Sequence, residues 1–184
     1  MASGARRSKT TLILGGARSG KSRLAEAIIE QENRDAIYIA TAQARDDEMA
    51  ARIAAHKARR GATWRTEEIS LDLAQGLSGL VKDKFPILVD CLTLWLSNVM
   101  FAERDTEAEI DALAAGIRLA RAPLVLVSNE TGLGIVPKNE LARRFRDLSG
   151  IMNQQIAAAS DNVLLVAAGL PLVMKGRNPA DLSE

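Results

Sequence analysis

Thr11-Leu12-Ile13-Leu14-Gly15-Gly16-Ala17-Arg18-Ser19-Gly20-Lys21-Ser22 is the stretch whose reading decides the fold. Thr11–Gly15 reads as a buried strand. Leu24, Ala25, Ile28 and Ile29 then recur at helical spacing. Between them, Gly15 to Ser22 spell G-x-x-x-x-G-K-[ST], and a strand before with a helix after is the context that makes this motif a phosphate loop. Glycines let backbone N–H groups turn inward around a phosphate, and the helix start adds partial positive charge. Lys21 is the residue that reaches the terminal phosphates, and the Ser22 hydroxyl is a ligand for Mg²⁺. The rival reading is a glycine turn that merely joins strand to helix; the complete motif in this context weighs heavily against it. Arg18, inside the loop, reads either as a phosphate contact or as a surface arginine.

Working outward, short apolar runs alternate with helical patterns. Ala36–Ala40, Ile87–Asp90, Leu124–Ser128 and Val163–Ala167 are rich in Ile, Val and Leu on both faces, as buried parallel strands are. Thr63–Glu68 alternates more and reads as an edge. Helical stripes follow at Met49 and Ile53, at Leu73, Leu77, Leu80 and Val81, and at Ile110, Leu113 and Ile117 behind a capping box starting at Thr106. A last helix from about Asn139 carries Leu141, Phe145, Leu148 and Met152 on one face. Such alternation implies an α/β fold around a mostly parallel sheet, with ligands at the carboxyl ends of the strands.

Ile87-Leu88-Val89-Asp90 is an apolar strand ending in a carboxylate, the Walker B pattern in which the acid holds Mg²⁺ directly or through water. Alone it is equally a helix cap; behind a phosphate loop it reads as a metal carboxylate. Cys91 beside it reads as a small buried filler.

Composition narrows the partners. The 184 residues are 47% hydrophobic and 26% charged, which suits one soluble globular domain. Lys and Arg number 24 against 23 Asp and Glu, so the basic excess of a duplex-DNA binder is missing. Aromatics are 3%, too few for base-stacking platforms. No nucleic-acid partner is expected. The single cysteine excludes an internal disulfide and fits a reduced, cytoplasmic compartment. The late apolar run 163–174 is broken by Gly169 and Pro171 and is too short to span a bilayer.

The phosphate loop names neither base nor acceptor. Ser128-Asn129-Glu130-Thr131 is not the N-K-x-D guanine reader, and Asp147-Leu148-Ser149-Gly150 falls inside a helical pattern, where D-x-x-G is chance. A small-molecule kinase fits the size best. His56, the one histidine, shares its helical phase with Met49 and Ile53, so the imidazole projects from the apolar side. Two readings stay open: a satisfied core or capping histidine, and a nucleophile. Lys57, Arg59 and Arg60 favour the second. They would neutralise phosphate oxygens in a transition state and disfavour protonation of the ring.

At this point the chain resembles a known family. Gly15–Ser22, Tyr38-Ile-Ala-Thr41, Asp46-Asp-Glu-Met-Ala-Ala-Arg-Ile53 with His56-Lys57, Trp64-Arg-Thr66, Val89-Asp-Cys-Leu-Thr-Leu-Trp-Leu-Ser-Asn98, Asn129-Glu130, Gly132–Pro137, Arg143–Asp147, Gly150 and Asn153-Gln154 are similar to the bifunctional adenosylcobinamide kinase/adenosylcobinamide-phosphate guanylyltransferases of cobalamin biosynthesis. The resemblance spans about Thr11 to Lys175. It implies phosphorylation of adenosylcobinamide by ATP or GTP, then GMP transfer from GTP through a guanylylated histidine, at the position of His56, to give adenosylcobinamide-GDP. It also implies that Gly15 to Ser22, Thr41, Ala42, Gln43, Lys57, Ala58, Arg59, Arg60, Glu68 and Asp90 line the nucleotide site, and that the chain forms a homotrimer with the site near a subunit boundary. Two departures stand out. Ala55 precedes His56 where some relatives have a second histidine, and Asp90 stands where some relatives carry a glutamate. Arg143, Arg144 and Arg146 read either as phosphate contacts or as surface residues, Arg143 pairing with Asp147.

The expected fold class is therefore α/β of the P-loop NTPase type (RecA-like), a mostly parallel sheet flanked by helices. One transferase domain is expected over 10–176, with 1–9 and 177–184 as flexible tails. The competing functions are a monofunctional P-loop small-molecule kinase with a structural His56, and a nucleotide-dependent switch or assembly module.

Overall fold

The computed structural model describes residues 10–43, 61–80 and 84–181. Seven strands form one sheet: β1 (Thr10–Gly15), β2 (Ala36–Ala40), β3 (Trp64–Glu68), β4 (Ile87–Asp90), β5 (Leu124–Val127), β6 (Asn162–Ala167) and β7 (Leu170–Lys175). Their order is β3-β2-β4-β5-β1-β6-β7. The first six run parallel, and β7 returns antiparallel to β6. Helices α1 (Lys21–Glu30), α2 (Leu73–Leu80), α3 (Leu92–Phe101), α4 (Thr106–Ile117) and α5 (Glu140–Ala159) cover it. Among the described residues this is the α/β architecture the alternating pattern predicts.

Side chains alternate across the strands, so each face has its own core. On one face Leu12, Ile37, Ile39, Val89 and Leu126 pack beneath α2–α5. On the other, Ile13, Tyr38, Leu88 and Val125 pack beneath Ala25, Ile28 and Ile29 of α1. Trp95 of α3 is fully buried and its Nε1 donates to the Leu71 carbonyl at 2.8 Å.

Several elements differ from the pattern reading. Helix α3 had no periodic signal because it is apolar around most of its circumference; Leu92, Trp95, Leu96 and Val99 are all inaccessible. Strand β7 was hidden because Gly169 and Pro171 read as interruptions. Ala168 (φ 51°) and Gly169 (φ 81°) instead form a two-residue hairpin turn with both φ positive, and Pro171 sits on an outer strand, where its missing N–H is tolerated. The cap of α4 is Asp105, not Thr106; its carboxylate accepts the Ala108 N–H at 3.1 Å. Leu141 is 55% exposed, so the buried stripe of α5 begins later, with Leu148, Met152 and Ile156. Asp147 pairs with Arg146 rather than Arg143, whose guanidinium donates to the Pro137 and Lys138 carbonyls. The expected tail is anchored over 177–181: the Arg177 N–H donates to Asn162, Asn178 is buried, and the Ala180 carbonyl accepts from Gln31.

Candidate functional site

The register places the ends of four neighbouring strands side by side: Ala40 faces Asp90, Asp90 faces Val127, and Val127 faces Ile13, two residues before Gly15. The loop that follows β1, the carboxylate that ends β4, and the segments after β2 and β5 therefore share one edge of the sheet. Glu68 ends β3 at the same edge, exposed.

The loop closes tightly. Gly15 lies so near β6 that a Cβ would sit 2.4 Å from the Val166 carbonyl oxygen and 2.8 Å from Ser19 Oγ. Gly20 takes φ 102°, open to glycine at little cost, and leads into α1 with no side chain capping the helix. The first N–H groups of α1 are thus left for a ligand, the arrangement that binds phosphate. Ser19 Oγ is buried without a hydrogen-bond partner inside this loop, as suits a group that donates to a phosphate oxygen. Behind the loop, the Gly169 N–H donates to the Ser19 carbonyl at 2.9 Å, so the β6–β7 turn braces it. Gly16, Ala17 and Arg18 are exposed at the tip.

Lys21 folds back so that Nζ donates to the Gly16 carbonyl at 2.6 Å. It is 7% exposed. Burial pushes its ammonium below the usual lysine value, opposed by Cys91 and Asp90. Ser22 follows in the first turn, half-buried. Asp90 is steadied by Tyr38, whose hydroxyl donates to Oδ2 at 3.1 Å. Ser22 and Asp90 supply hard oxygen donors, the chemistry Mg²⁺ takes when phosphates complete its shell. Among the described residues no three His, Cys, Asp or Glu side chains cluster as a metal site on their own.

Thr41 does not face the cleft. It is fully buried; its hydroxyl donates to the Cys91 carbonyl at 2.8 Å and accepts the Cys91 N–H at 2.8 Å. Its own carbonyl accepts from Asn98 Nδ2, which also donates to the Ser70 carbonyl. Thr41 and Asn98 therefore lock the ends of β2, β3 and β4 together rather than presenting polar atoms to a ligand. Asn98 escaped the sequence reading because its partners lie far away along the chain. Ala42 is half-buried, and Gln43 is exposed with its amide on Ser70 Oγ. The Cys91 thiol is pushed up to about 11 by burial and then by Asp90, so it stays protonated and inert, the filler expected. His56, Lys57, Ala58, Arg59 and Arg60 lie outside the described residues.

An uncapped helix start wrapped by a glycine loop, with an acid-tipped strand two places away, puts the molecule among the P-loop NTPases. Solved structures share this fold: the flagellar accessory protein FlaH of Methanocaldococcus jannaschii superposes with a TM-score of 0.55 at 13% identity, over 96% of this chain and 82% of that one. An ATPase of a bacterial type III secretion system gives a TM-score of 0.50 at 12% identity, over 90% of this chain and 56% of that one. Sequence narrows the class further. Residues 11–174 match the family described as cobinamide kinase / cobinamide phosphate guanyltransferase, and the chain belongs to it. Among its relatives, the bifunctional adenosylcobalamin biosynthesis protein CobP of Pseudomonas aeruginosa is 48% identical over 90% of this chain and 96% of the relative. The corresponding CobU protein of Salmonella typhimurium is 44% identical over 89% and 98%.

Proposed function

We propose that this chain phosphorylates adenosylcobinamide with ATP or GTP and then joins GMP from GTP to the new phosphate through a covalent intermediate on His56. The observation that carries the reading is the complete phosphate loop opening an uncapped α1 beside Lys21 and Asp90, in a chain that matches the family over residues 11–174.

The first reaction is an in-line displacement. The acceptor hydroxyl oxygen bonds to the γ-phosphorus, the bond to the bridging oxygen breaks, and the diphosphate leaves. Loop N–H groups and Lys21 hold the charge that shifts onto the phosphates. Mg²⁺, held by Ser22 and Asp90, would supply further charge neutralisation. In the second reaction a ring nitrogen of His56 bonds to the α-phosphorus and pyrophosphate leaves. The phosphate of the first product then takes the GMP, breaking the N–P bond. Lys57, Arg59 and Arg60 offset the anionic charge there, and Ala42, Gln43, Glu68 and Arg18 border the nucleotide. Thr41 contributes by holding the strand ends.

Homotrimer assembly with the site near a subunit boundary belongs to the same proposal. All six residues of β7 are exposed, including Leu170, Leu172, Val173 and Met174. An exposed apolar edge strand of this kind supports burial against a partner. No helix among the described residues is long and apolar enough to cross a membrane. A cytoplasmic location is proposed with the corrinoid substrate.

Mass spectrometry of the protein after GTP and Mg²⁺ tests the covalent step. One GMP should appear on the peptide holding His56, and the bond should be lost in acid and survive alkali. His56→Ala should lose the adduct and GMP transfer while much of the kinase reaction persists. An adduct that survives in this variant removes His56 from the mechanism. A kinase reaction with no adduct on the unsubstituted chain favours the simple-kinase reading.

A further inference from the structure

The segment after β5 lies between the two halves of the phosphate site, and the reactions above leave it without a task. In the sheet, β5 separates β4, which ends in Asp90, from β1, which opens the phosphate loop. Val127, the last residue of β5, is in register with Asp90 of β4 on one side and Ile13 of β1 on the other, so residues 128–130 leave the sheet between the two. The Ser128 N–H donates to the Ile13 carbonyl and the Glu130 N–H to the Gly15 carbonyl, both at 3.0 Å.

This segment is held by a directed polar chain. The Asn129 N–H donates to Thr93 Oγ1 at 2.7 Å. Thr93 and Ser128 hydroxyls are 3.3 Å apart, and Ser128 donates to Asn153 Oδ1 at 2.7 Å. Since the Ser128 hydrogen goes to Asn153, Thr93 is the donor to Ser128. Asn153 Nδ2 closes the circuit on the Asn129 carbonyl at 3.2 Å. Thr93, Ser128 and Asn153 are all buried. Burying three polar side chains costs stability unless each is satisfied, and a satisfied network fixes one geometry. What it fixes is the main chain of Asn129 and Glu130 against the first glycine of the loop. Glu130 is half-buried, and Oε1 accepts the Gly132 N–H at 2.6 Å.

We infer that Glu130 is the general base of the phosphorylation step, and of that step only. The two reactions differ in what they ask of the acceptor. An alkanol is about as weak an acid as water, whose pKa is about 15.7, so its proton must be taken as the O–P bond forms. The Glu130 carboxylate accepts that proton, the hydroxyl oxygen bonds to the γ-phosphorus, and the diphosphate leaves with the electron pair of the broken P–O bond. In the second reaction the acceptor is a phosphate monoester, already charged near neutral pH, with a second pKa of about 6. It needs no base.

The inference rests on the two-reaction reading, and the test separates the two. Glu130→Gln keeps an oxygen to accept the Gly132 N–H and removes only the basicity. Cobinamide with ATP, and pre-formed cobinamide phosphate with GTP, are assayed on one preparation. The kinase kcat should fall about 10²–10⁴-fold, the usual share of a general base. GMP transfer to the supplied phosphate should keep its unsubstituted rate. An unchanged kinase rate overturns the assignment. So does a parallel fall in both reactions, which is what a merely structural Glu130, or a misfolded variant, produces. Failure of the two-reaction reading is seen separately, as absence of GMP transfer by the unsubstituted chain.

Discussion

Thr41→Val replaces a buried hydroxyl with a methyl of nearly the same shape, so it tests hydrogen bonding without opening a cavity. In the native chain that hydroxyl serves both the N–H and the carbonyl of Cys91. The carbonyl keeps a second partner, the Trp95 N–H at 3.2 Å, and loses about 0.5–1.5 kcal/mol. The Cys91 N–H is left buried and unpaired, at about 1–3 kcal/mol. The sum is about 1.5–4.5 kcal/mol, or a drop in Tm of roughly 3–18 °C for a domain of this size. Urea denaturation gives the free energy, and a nucleotide titration gives Kd. The expected outcome is a clear loss of stability with nucleotide affinity nearly retained at low temperature. Unchanged stability with nucleotide binding lost refutes the reasoning, for it puts the hydroxyl on the ligand.

Lys21→Ala should cripple both reactions, each by about 10²–10³ in kcat, because both donors need their phosphates neutralised; full turnover in both assays removes the loop from the mechanism. Asp90→Asn should weaken Mg²⁺-dependent turnover and be partly rescued by raised Mg²⁺, with the urea midpoint little changed. The Cys91 thiol gives a pH signature. Its proton is held to about 11 when folded and to 9.0 ordinarily, so between those values the unfolded chain has released a proton that the folded chain keeps. The stabilisation is complete below pH 9 and declines as pH rises to 11, by up to about 3 kcal/mol at about 1.4 kcal/mol per pH unit. Cys91→Ala should flatten that part of the urea stability profile.

Where local chemistry determined an element, the sequence was enough. A phosphate loop is contiguous, so Gly15 to Ser22 announce both the turn and the helix start. Buried parallel strands need apolar residues on both faces, and all five interior runs appear as strands. Helix α3 was opaque because a helix enclosed on most sides loses the polar–apolar contrast that periodicity depends on. Strand β7 was opaque because Pro and Gly there reflect an edge position and a turn, which only its pairing with β6 reveals. At the site, Asp90 was legible as an acid ending an apolar strand. Thr41 and Asn98 were not, since their partners are brought near by the sheet rather than by the chain, and a threonine after a strand reads alike whether it faces a ligand or the core.

The brace of the phosphate loop by Gly169 has a consequence for how the chain can be divided. Strand β7 adds nothing to the parallel sheet and looks like an appendix that could be trimmed. Yet its turn backs the phosphate loop, so the first and seventh strands of the sheet form a single working part. The nucleotide machinery is complete only after the last strand has been made, and a nascent or truncated chain that stops at Ala167 would carry every phosphate-loop residue without the wall that shapes them.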